Sequence, residues 1–370
     1  MTFCADDHRY MAHALQLAAR GLYTTTPNPR VGCVIVKHNQ IVGEGWHQRA
    51  GTPHAEIHAL AQATDAARGA TVYVTLEPCS HHGRTPPCVD ALIHAGVTRV
   101  VAAMADPNPL VAGQGIQRLT LAGIRAETGL MEANARALNP GFISRMTRNR
   151  PWVRLKTAST LDGKPALANG QSQWITGDAA RTDVQKLRAR ACAVLTGSGT
   201  VLADDPRMTV RDFDIGRQPL RVIVDSNLLT PPTAAILPAL IACRTSQPER
   251  RAALTAAGAE ILELPDARGR VDLAALLSKL AQQGINEVHV EAGAALNGAL
   301  LESGFVDEWI AYIAPLAVGH DARGLFNQTP LESLAQAARF RLEEVRQIGD
   351  DLRLTLLPQA SLIDRLSSEK

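Results

Sequence analysis

Two stretches, GTPHAEIHALAQA at residues 51–63 and TVYVTLEPC at residues 71–79, decide the fold of the first part of the chain. The first contains a proline followed by helical periodicity, which predicts a helix over residues 54–67. The second is rich in β-branched residues and predicts a buried strand over residues 71–75. A helix followed directly by a buried strand is typical of a layered α/β domain.

Outward from these stretches, predicted helices and strands continue to alternate. Asp6 or Asp7 is a candidate N-cap for a helix that ends at Gly21. The other elements predicted here are strands at 31–36, 40–47, 97–103 and 125–128, and helices at 89–95 and 115–122. This alternation indicates an α/β sandwich.

The composition excludes several classes of protein. Of 370 residues, 46% are hydrophobic and 20% are charged, so the chain can bury real cores and is neither disordered nor a coiled coil. A formal net charge of +2 offers no strong field for a polyanion, so no nucleic-acid partner is expected. No apolar run reaches the ~18 residues of a membrane span, and the N-terminal stretch lacks the basic n-region and apolar h-region that signal peptides have. We therefore expect a cytoplasmic protein without a membrane partner. In such a protein, the one close pair of cysteines is better explained by metal binding or catalysis than by a disulfide.

The polar and basic stretch MTRNRP at residues 146–151 is a candidate domain boundary. We predict one domain over residues 1–147 and a second over residues 148–370. In the second domain the alternation restarts. Its predicted strands are 153–157, 193–195, 220–224, 239–243, 260–264, 287–291 and 309–314, its helices include 177–191 and 272–282, and 341–345 with 352–357 forms a closing hairpin.

Four side chains of the first domain match the requirements of a zinc-dependent deaminase. Such an enzyme needs three protein ligands, an open fourth position for water, and a carboxylate that carries protons without binding the metal. The H-x-E and P-C signatures of these enzymes indicate His54 as the nitrogen ligand, Glu56 as the proton shuttle, and Cys79 and Cys88 as the sulfur ligands. The sequence therefore predicts a Zn²⁺ site with Glu56 as its catalytic residue.

The cysteine spacing departs from the short form of this signature, because eight residues separate Cys79 from Cys88 instead of two. Each feature alone also has an ordinary explanation, as a buried thiol or as a histidine at a helix start. His54 and His58 could instead pair on one helical face, as in hydrolase zinc sites. That pairing leaves both cysteines unexplained.

Polar residues elsewhere could complete this site. His81 and His82 lie either in solvent or at the rim of the site, and Arg84 could clamp a phosphate with its guanidinium fork. Asn28, between two prolines, either forms a turn or hydrogen-bonds a sugar hydroxyl or a base edge.

The second domain has no G-x-G-x-x-G directly after a predicted strand, so a standard dinucleotide fold is not supported. The nearest feature is VHVEAGAALNGA at residues 288–299, where a strand runs into small residues and then a helix. Small residues let a phosphate approach backbone N–H groups at a helix N-terminus. Such a junction either binds a phosphate or only packs tightly. Lys156, on a predicted strand, could face the same pocket.

The chain resembles the bifunctional deaminase–reductases of bacterial riboflavin biosynthesis. The matching motifs are PNP at 27–29 with Val31 and Gly32, PHAE at 53–56, TLEPCSHHGRTPPC at 75–88, SQWIT at 172–176 and VEAG at 290–293. The long cysteine spacing also matches this family. The resemblance implies an α/β fold, with a cytidine-deaminase-like three-layer domain followed by a dihydrofolate-reductase-like α/β domain.

The resemblance further implies the ligands of the second domain. NADPH would contact Ala158, Trp174, Thr200, Asp204, Ser226, Gly293, Ala294, Ala295, Leu296, Asn297, Gly298 and Ala299. The substrate would contact Ser172, Arg188, Met208, Arg211 and Glu291. Both arginines can pair with a ribose phosphate. Asn28 remains the candidate substrate contact of the deaminase site.

Two successive reactions are therefore expected. The first is zinc-dependent hydrolytic deamination of 2,5-diamino-6-(5-phosphoribosylamino)pyrimidin-4(3H)-one. The second is NADPH-dependent reduction of the ribosyl group of 5-amino-6-(5-phosphoribosylamino)uracil to ribityl. A homo-oligomer, either a dimer or a tetramer, is expected. The alternatives are a single-function nucleobase or tRNA deaminase with an accessory domain, and a second domain that only binds nucleotides or oligomerises. The lack of a basic excess argues against tRNA.

Overall fold

The computed structural model describes residues 3–80, 86–245 and 247–359. The chain divides into two compact units, Met1–Arg150 and Pro151–Lys370, here called the first and the second unit. Among the described residues, no helix is both long and apolar enough to cross a membrane.

One mixed sheet forms the centre of the first unit. Its strands are β1 (Gly32–Lys37), β2 (Gln40–Trp46), β3 (Thr71–Val74), β4 (Arg99–Ala102) and β5 (Arg125–Thr128). The helices are α1 (Ala5–Ala19), α2 (Ala55–Ala63), α3 (Cys88–Ala95), α4 (Gln114–Leu121), α5 (Glu132–Leu138) and α6 (Pro140–Arg148). Across the described residues the strand order is β2-β1-β3-β4-β5, with β1 antiparallel to both neighbours and β3, β4 and β5 parallel.

Close approaches at two glycines show that helices cover both faces of this sheet. A Cβ at Gly32 would overlap the carbonyl oxygen of Ala14 on α1. Gly45 pairs with Cys33, the next residue of β1, so it faces the other side of the sheet. A Cβ at Gly45 would lie 2.5 Å from the carbonyl oxygen of Ala55 on α2. The unit is therefore a three-layer α/β sandwich.

The N-terminus of α1 is capped by Cys4. The Cys4 Sγ accepts a hydrogen bond from Asp7 N at 3.4 Å, and the Asp7 carboxylate accepts one from Cys4 N at 3.0 Å. The prediction that Asp6 or Asp7 is the N-cap is therefore wrong. Asp7 instead turns inward, where the Tyr73 hydroxyl (2.7 Å) and the Arg99 guanidinium (2.6 Å) donate hydrogen bonds to it.

The second unit is built on a larger sheet. Its strands are β6 (Trp152–Thr160), β7 (Ala193–Gly197), β8 (Leu220–Val224), β9 (Leu240–Cys243), β10 (Glu260–Glu263), β11 (Glu287–Glu291), β12 (Glu308–Ala314), β13 (Phe340–Ile348) and β14 (Asp351–Pro358). Its helices are α7 (Asp178–Arg190), α8 (Ser198–Asp204), α9 (Pro248–Ala256), α10 (Leu273–Gln282) and α11 (Ala294–Glu302). The strand order over the described residues is β10-β9-β8-β7-β11-β6-β12-β14-β13.

Strand direction in this sheet determines where a ligand can bind. The strands from β10 to β12 are parallel, and β14 and β13 close the sheet as the antiparallel hairpin that the sequence predicts. In open α/β sheets, ligands bind outside the carboxyl ends of the parallel strands. The loops after β7, β8 and β11 meet at that edge, and they line the cleft described below.

Candidate functional sites

The three predicted zinc ligands lie together in the first unit. His54 is the N-cap of α2, Cys79 follows β3, and Cys88 is the first residue of α3. The His54 Nδ1 lies 3.3 Å from Cys88 Sγ and 3.6 Å from Cys79 Sγ. The ligand atoms of all three residues lie within 4.8 Å of one another. Zinc–sulfur bonds of about 2.3 Å and zinc–nitrogen bonds of about 2.0 Å fit this spacing. One imidazole and two thiols are the donor set of a catalytic Zn²⁺, with one coordination position left for water.

Glu56 lies in the first turn of α2, near the candidate zinc ligand His54. Its side chain is buried and is not one of the three grouped ligands. Burial, and then the negative charge of the Cys79 thiolate, raise the pKa of Glu56 to about 7. Hydrogen bonds from Cys88 and His54 hold the pKa of the Cys79 thiol well below its usual range. The site therefore combines a ready thiolate ligand with a carboxyl group that can exchange protons near neutral pH.

The alternative pairing of His54 with His58 does not form a metal group. Within the described residues, His58 is outside the cluster of possible ligands, and its buried Nε2 has no hydrogen-bond partner.

Asn28 contacts His47, which in turn contacts the candidate zinc ligand His54. Its Nδ2 donates a hydrogen bond to Nε2 of His47 at 3.1 Å, and Nδ1 of His47 donates to the Pro53 carbonyl at 3.2 Å. The rings of His47 and His54 meet edge to face at 5.4 Å. Asn28 therefore helps to orient a wall of the site. The loop candidates His81, His82 and Arg84 lie outside the described residues.

Glu77 is a buried carboxylate that the sequence analysis did not single out. Its two oxygens accept four backbone N–H groups, at distances of 2.8 to 3.2 Å, from Asp106, Gly113, Gly115 and Ile116. It lies two residues before the candidate ligand Cys79 and connects that segment to the start of α4. On the other side of Cys79, the Arg118 guanidinium of α4 donates to the Ser80 carbonyl at 2.8 Å. The donors are 29 to 39 residues from Glu77 in sequence, so no local pattern marks its role.

The second unit contains a cleft of about 1420 Å³ at the carboxyl ends of its parallel strands. Of the predicted second-unit residues, all but Gly298 line it. They are Ala158, Ser172, Trp174, Arg188, Thr200, Asp204, Met208, Arg211, Ser226, Glu291, Gly293, Ala294, Ala295, Leu296, Asn297 and Ala299. Gly298 is buried, and a Cβ there would overlap the backbone of Asn327, so this glycine allows α11 to pack closely.

Charged groups define one end of the cleft. Arg188 Nε and Nη2 donate to the two oxygens of Glu291 at 2.5 and 2.9 Å. Burial alone would raise the pKa of Glu291, but the Arg188 charge outweighs burial and holds that pKa well below its usual range. Lys156 lies beside them in the cleft wall, where burial lowers its pKa. A fixed carboxylate and two cations suit a ligand that carries hydroxyls and a phosphate.

The middle of the cleft leaves room for the backbone approach of a dinucleotide. Gly293 is the N-cap of α11, and a Cβ there would have only Thr200 Oγ1 nearby, at 3.8 Å. A Cβ at Gly199 would meet no atom within 4 Å. The N-terminal N–H groups of α11 thus face a space that a phosphate could fill. These residues fit a dinucleotide cofactor.

These sites define the class of protein as a zinc-dependent deaminase joined to a dinucleotide-dependent reductase. The family model described as the cytidine and deoxycytidylate deaminase zinc-binding region matches residues 4–104, and the model described as the RibD C-terminal domain matches residues 151–354. The riboflavin biosynthesis protein RibD of Escherichia coli (strain K12) is 52% identical over 367 residues, which cover 95% of this chain and 99% of the relative.

Solved structures give the same result. Acinetobacter baumannii RibD, form 1, is similar with a TM-score of 0.90 at 48% identity, covering 96% of this chain and 99% of that chain. A diaminohydroxyphosphoribosylaminopyrimidine deaminase/5-amino-6-(5-phosphoribosylamino)uracil reductase from Thermotoga maritima has a TM-score of 0.84 at 33% identity and covers the same shares. The chain belongs to the RibD family, the bifunctional deaminase–reductases of riboflavin biosynthesis.

Family membership confirms the resemblance and the fold class that the sequence indicates. It also confirms the two expected activities and their cofactors, Zn²⁺ in the deaminase unit and NADPH in the reductase unit. A second unit that only binds nucleotides or oligomerises is not supported, because the RibD reductase domain spans residues 151–354.

Proposed function

We propose that the first unit removes the 2-amino group of 2,5-diamino-6-(5-phosphoribosylamino)pyrimidin-4(3H)-one by hydrolysis. The second unit then reduces the ribosyl group of the product, 5-amino-6-(5-phosphoribosylamino)uracil, to ribityl. The observation that carries the first step is the grouping of His54, Cys79 and Cys88 beside the buried Glu56. The name of the Thermotoga maritima relative supports both substrates.

In the first reaction Glu56 acts as the proton carrier. Bound Zn²⁺ supplies the Lewis acidity that lets water attack at neutral pH. Glu56 takes a proton from the attacking water and returns protons to the ring and to the departing nitrogen, so water and the amine become a carbonyl and ammonia. A pKa of about 7 suits both directions of transfer. Asn28 is proposed to hydrogen-bond the substrate at the wall formed with His47.

In the second reaction the cleft orients two molecules against each other. NADPH supplies a hydride. The ribosyl carbon that bears the amine accepts the hydride and the ring oxygen gains a proton, which opens the sugar to ribityl. Arg188 and Arg211 are proposed to bind the ribose phosphate, and Ser172, Met208 and Glu291 to contact the rest of the substrate. The turn from Gly293 to Ala299 is proposed to hold the cofactor phosphates, with Gly298 supporting it from behind. The remaining predicted contacts, Ala158, Trp174, Thr200, Asp204 and Ser226, are proposed to line the cofactor.

The Cys88→Ser variant tests the first half of the proposal. Losing one of three ligands should remove zinc and abolish deamination, because Ser is a poor ligand for this metal. NADPH-dependent reduction of supplied 5-amino-6-(5-phosphoribosylamino)uracil should stay near the wild-type rate. Cys4→Ser is the matched control, since Ser is a good N-cap for α1 and Cys4 is no zinc ligand. Deamination by zinc-depleted Cys88→Ser protein would contradict the assignment.

The Gly293→Val variant tests the second half. The backbone at Gly293 has φ −81° and ψ 174°, which valine adopts, and the protein leaves space for its side chain. The fold should therefore persist while valine crowds the cofactor phosphates. We expect a higher NADPH dissociation constant with unchanged zinc content and deamination. Unchanged NADPH affinity would remove this turn from the cofactor site.

We also propose that the enzyme is a cytoplasmic homo-oligomer that acts without a nucleic-acid or membrane partner. The hairpin at the edge of the second sheet exposes Leu342 and Val345 on β13 and Leu352 on β14. Exposed apolar groups on an edge strand favour association. Light scattering should find an oligomer, and a monomer would contradict the proposal. If Leu342→Lys left the oligomeric mass unchanged, this edge would not be the surface of association.

A further inference from the structure

Arg270 lines the reductase cleft, and two further arginines contact the loops beside it. Ser226, directly beyond the end of β8, and Arg270 both line the cleft. Arg244 follows β9, and its Nε donates to Asn227 Oδ1 at 3.0 Å while its Nη1 donates to the Gly269 carbonyl at 3.4 Å. Arg250 Nη1 donates to the Asn227 carbonyl at 2.8 Å. We call Arg244, Arg250 and Arg270 the arginine cluster.

The arginine cluster forms no ion pair within the described part of the chain. None of its three guanidinium groups has a carboxylate oxygen within 4.0 Å among the described residues. The nearby Asp266 uses Oδ1 to accept the backbone N–H groups of Arg268 and Arg270. Glu302 also lines the cleft, and its charge interacts with that of Arg270. Three guanidinium groups beside the two carboxylates of Asp266 and Glu302 still leave net positive charge, which would favour an anionic ligand group.

The place of the cluster in the sheet matches one part of the cofactor. The proposed substrate contact Glu291 ends β11 and pairs with Lys156 of the neighbouring β6, and the cofactor phosphates are proposed at the start of α11. The order β9-β8-β7-β11-β6 puts the end of β9 four strands from β6, which is about 19 Å at ~4.8 Å per strand. An extended dinucleotide with its nicotinamide at the substrate end would reach the cluster with its adenosine half.

We propose that Arg244 and Arg270, supported by Arg250, bind the 2′-phosphate of NADPH and set the preference for NADPH over NADH; this rests on the proposed reductase function. Guanidinium groups fit phosphate, whereas NAD-specific sites bond the 2′-hydroxyl with an acidic residue. The ribose phosphate of the substrate has the same chemistry, so the test separates the two ligands.

The test is a fluorescence titration of NADPH and of NADH into Arg244→Met and Arg270→Met proteins. The NADPH dissociation constant should rise about 10- to 100-fold, as for loss of a charge-assisted hydrogen bond. The NADH constant should change less than about twofold, and Arg244→Lys should recover part of the NADPH affinity. The Arg270 side chain makes no hydrogen bond to the described protein atoms, so its removal should not disturb the loop.

Arg136→Met is the matched control, because Arg136 lies on α5 of the first unit and pairs only with Glu132 among the described residues. Equal loss of NADPH and NADH affinity would overturn the inference, and so would an unchanged NADPH constant. An increased KM for 5-amino-6-(5-phosphoribosylamino)uracil with normal NADPH binding would assign the cluster to the substrate phosphate instead. A wild-type protein that binds both dinucleotides equally contradicts the inference and leaves the reductase proposal intact, whereas one that binds neither contradicts the reductase function itself.

Discussion

The two sites each contain a largely buried glutamate, and the pKa values of the two glutamates are shifted in opposite directions. Glu56 of the deaminase unit has no lysine or arginine nitrogen within 4.0 Å among the described residues, and burial with the Cys79 thiolate raises its pKa to about 7. Glu291 of the reductase unit accepts two hydrogen bonds from Arg188, whose charge outweighs burial and lowers its pKa. A proton carrier needs a pKa near the working pH, whereas a ligand contact needs a fixed charge.

This difference follows the chemistry proposed for each unit. Hydrolysis moves several protons between water, ring and leaving nitrogen, so the protein must supply a group that changes its protonation state. In the reduction the cofactor carries the reactive hydride, and the protein supplies binding and orientation. Burial alone therefore does not give a carboxylate its role, which depends on whether a cation is paired with it.

The largest effect is expected for Glu56→Gln. The variant should keep one zinc per chain, because Glu56 is not a ligand, but lose at least about 10³-fold in deamination, since it serves more than one proton transfer. Metal analysis and ammonia release measure the two quantities. Glu132→Gln, on the exposed surface of α5, is the control and should retain full activity. Turnover within tenfold of wild type would show that Glu56 is not the proton carrier, and the contrast with Glu291 would fail.

The next effect is expected for Glu291→Gln. Losing the charge that holds Arg188 should lower kcat/KM for the uracil intermediate by about 10- to 100-fold while NADPH affinity stays within twofold. Because the pKa of Glu291 lies below its usual range, its charge is constant between about pH 5 and pH 8, and the variant should keep the wild-type pH profile in that window. Glu260→Gln, at an exposed position at the start of β10, is the control. If a step near pH 7 vanished in the variant, Glu291 would also exchange protons.

Local signals explain why the grouping of zinc ligands could be predicted. His54 and Cys88 each begin a helix, and Cys79 follows a strand, so the sequence marks all three positions. The reductase cleft draws its residues from many separated segments, and apart from the junction at residues 288–299 and Lys156 only the resemblance to a family pointed to them. Within the predicted turn, Gly298 shows the limit of that approach, since its lack of a side chain serves helix packing and not the cleft.

Other parts of the fold depended on contacts distant in sequence. Asp6 and Asp7 are better N-cap residue types than cysteine, yet burial of Asp7 against Tyr73 and Arg99 shifts the start of α1 to Cys4. Helices α5 and α6 were not predicted, and at the end of α6 the basic residues at 146–151 favoured a domain boundary over a helix. Glu77 was missed because the four backbone N–H groups that it accepts lie in another segment of the chain.

Glu77→Gln should have a smaller effect on activity, and it sharpens the comparison between Glu56 and Glu291. Glu77 is a third buried carboxylate, neither a proton carrier nor a substrate contact, and it positions Cys79 through four backbone N–H groups. Gln would turn an N–H₂ group toward two of these donors, so the zinc dissociation constant should rise about 10- to 100-fold. Competition with a chelator measures that constant. Deamination at saturating zinc should recover most of its rate, which a loss of the proton carrier would not allow.

The smallest effect is expected for Asp7→Asn, which tests whether pairing with a cation has the same consequence away from both active sites. Burial would raise the pKa of Asp7, but Arg99 and then Tyr73 hold it well below its usual value. Because the folded pKa is below the unfolded value of about 3.9, the stabilisation is complete above about pH 5 and is lost as the pH falls through and below about 4. The variant should lower the free energy of unfolding of the first unit by about 1–3 kcal/mol at pH 7, and the difference from wild type should shrink in acid.

Urea unfolding at several pH values measures this difference in the free energy of unfolding. Asp6→Asn, at an exposed neighbour paired with Arg9, is the control and is expected to change stability by less than about 0.5 kcal/mol. A difference that stays constant down to about pH 3 would mean that the charge of Asp7 does not stabilise the fold.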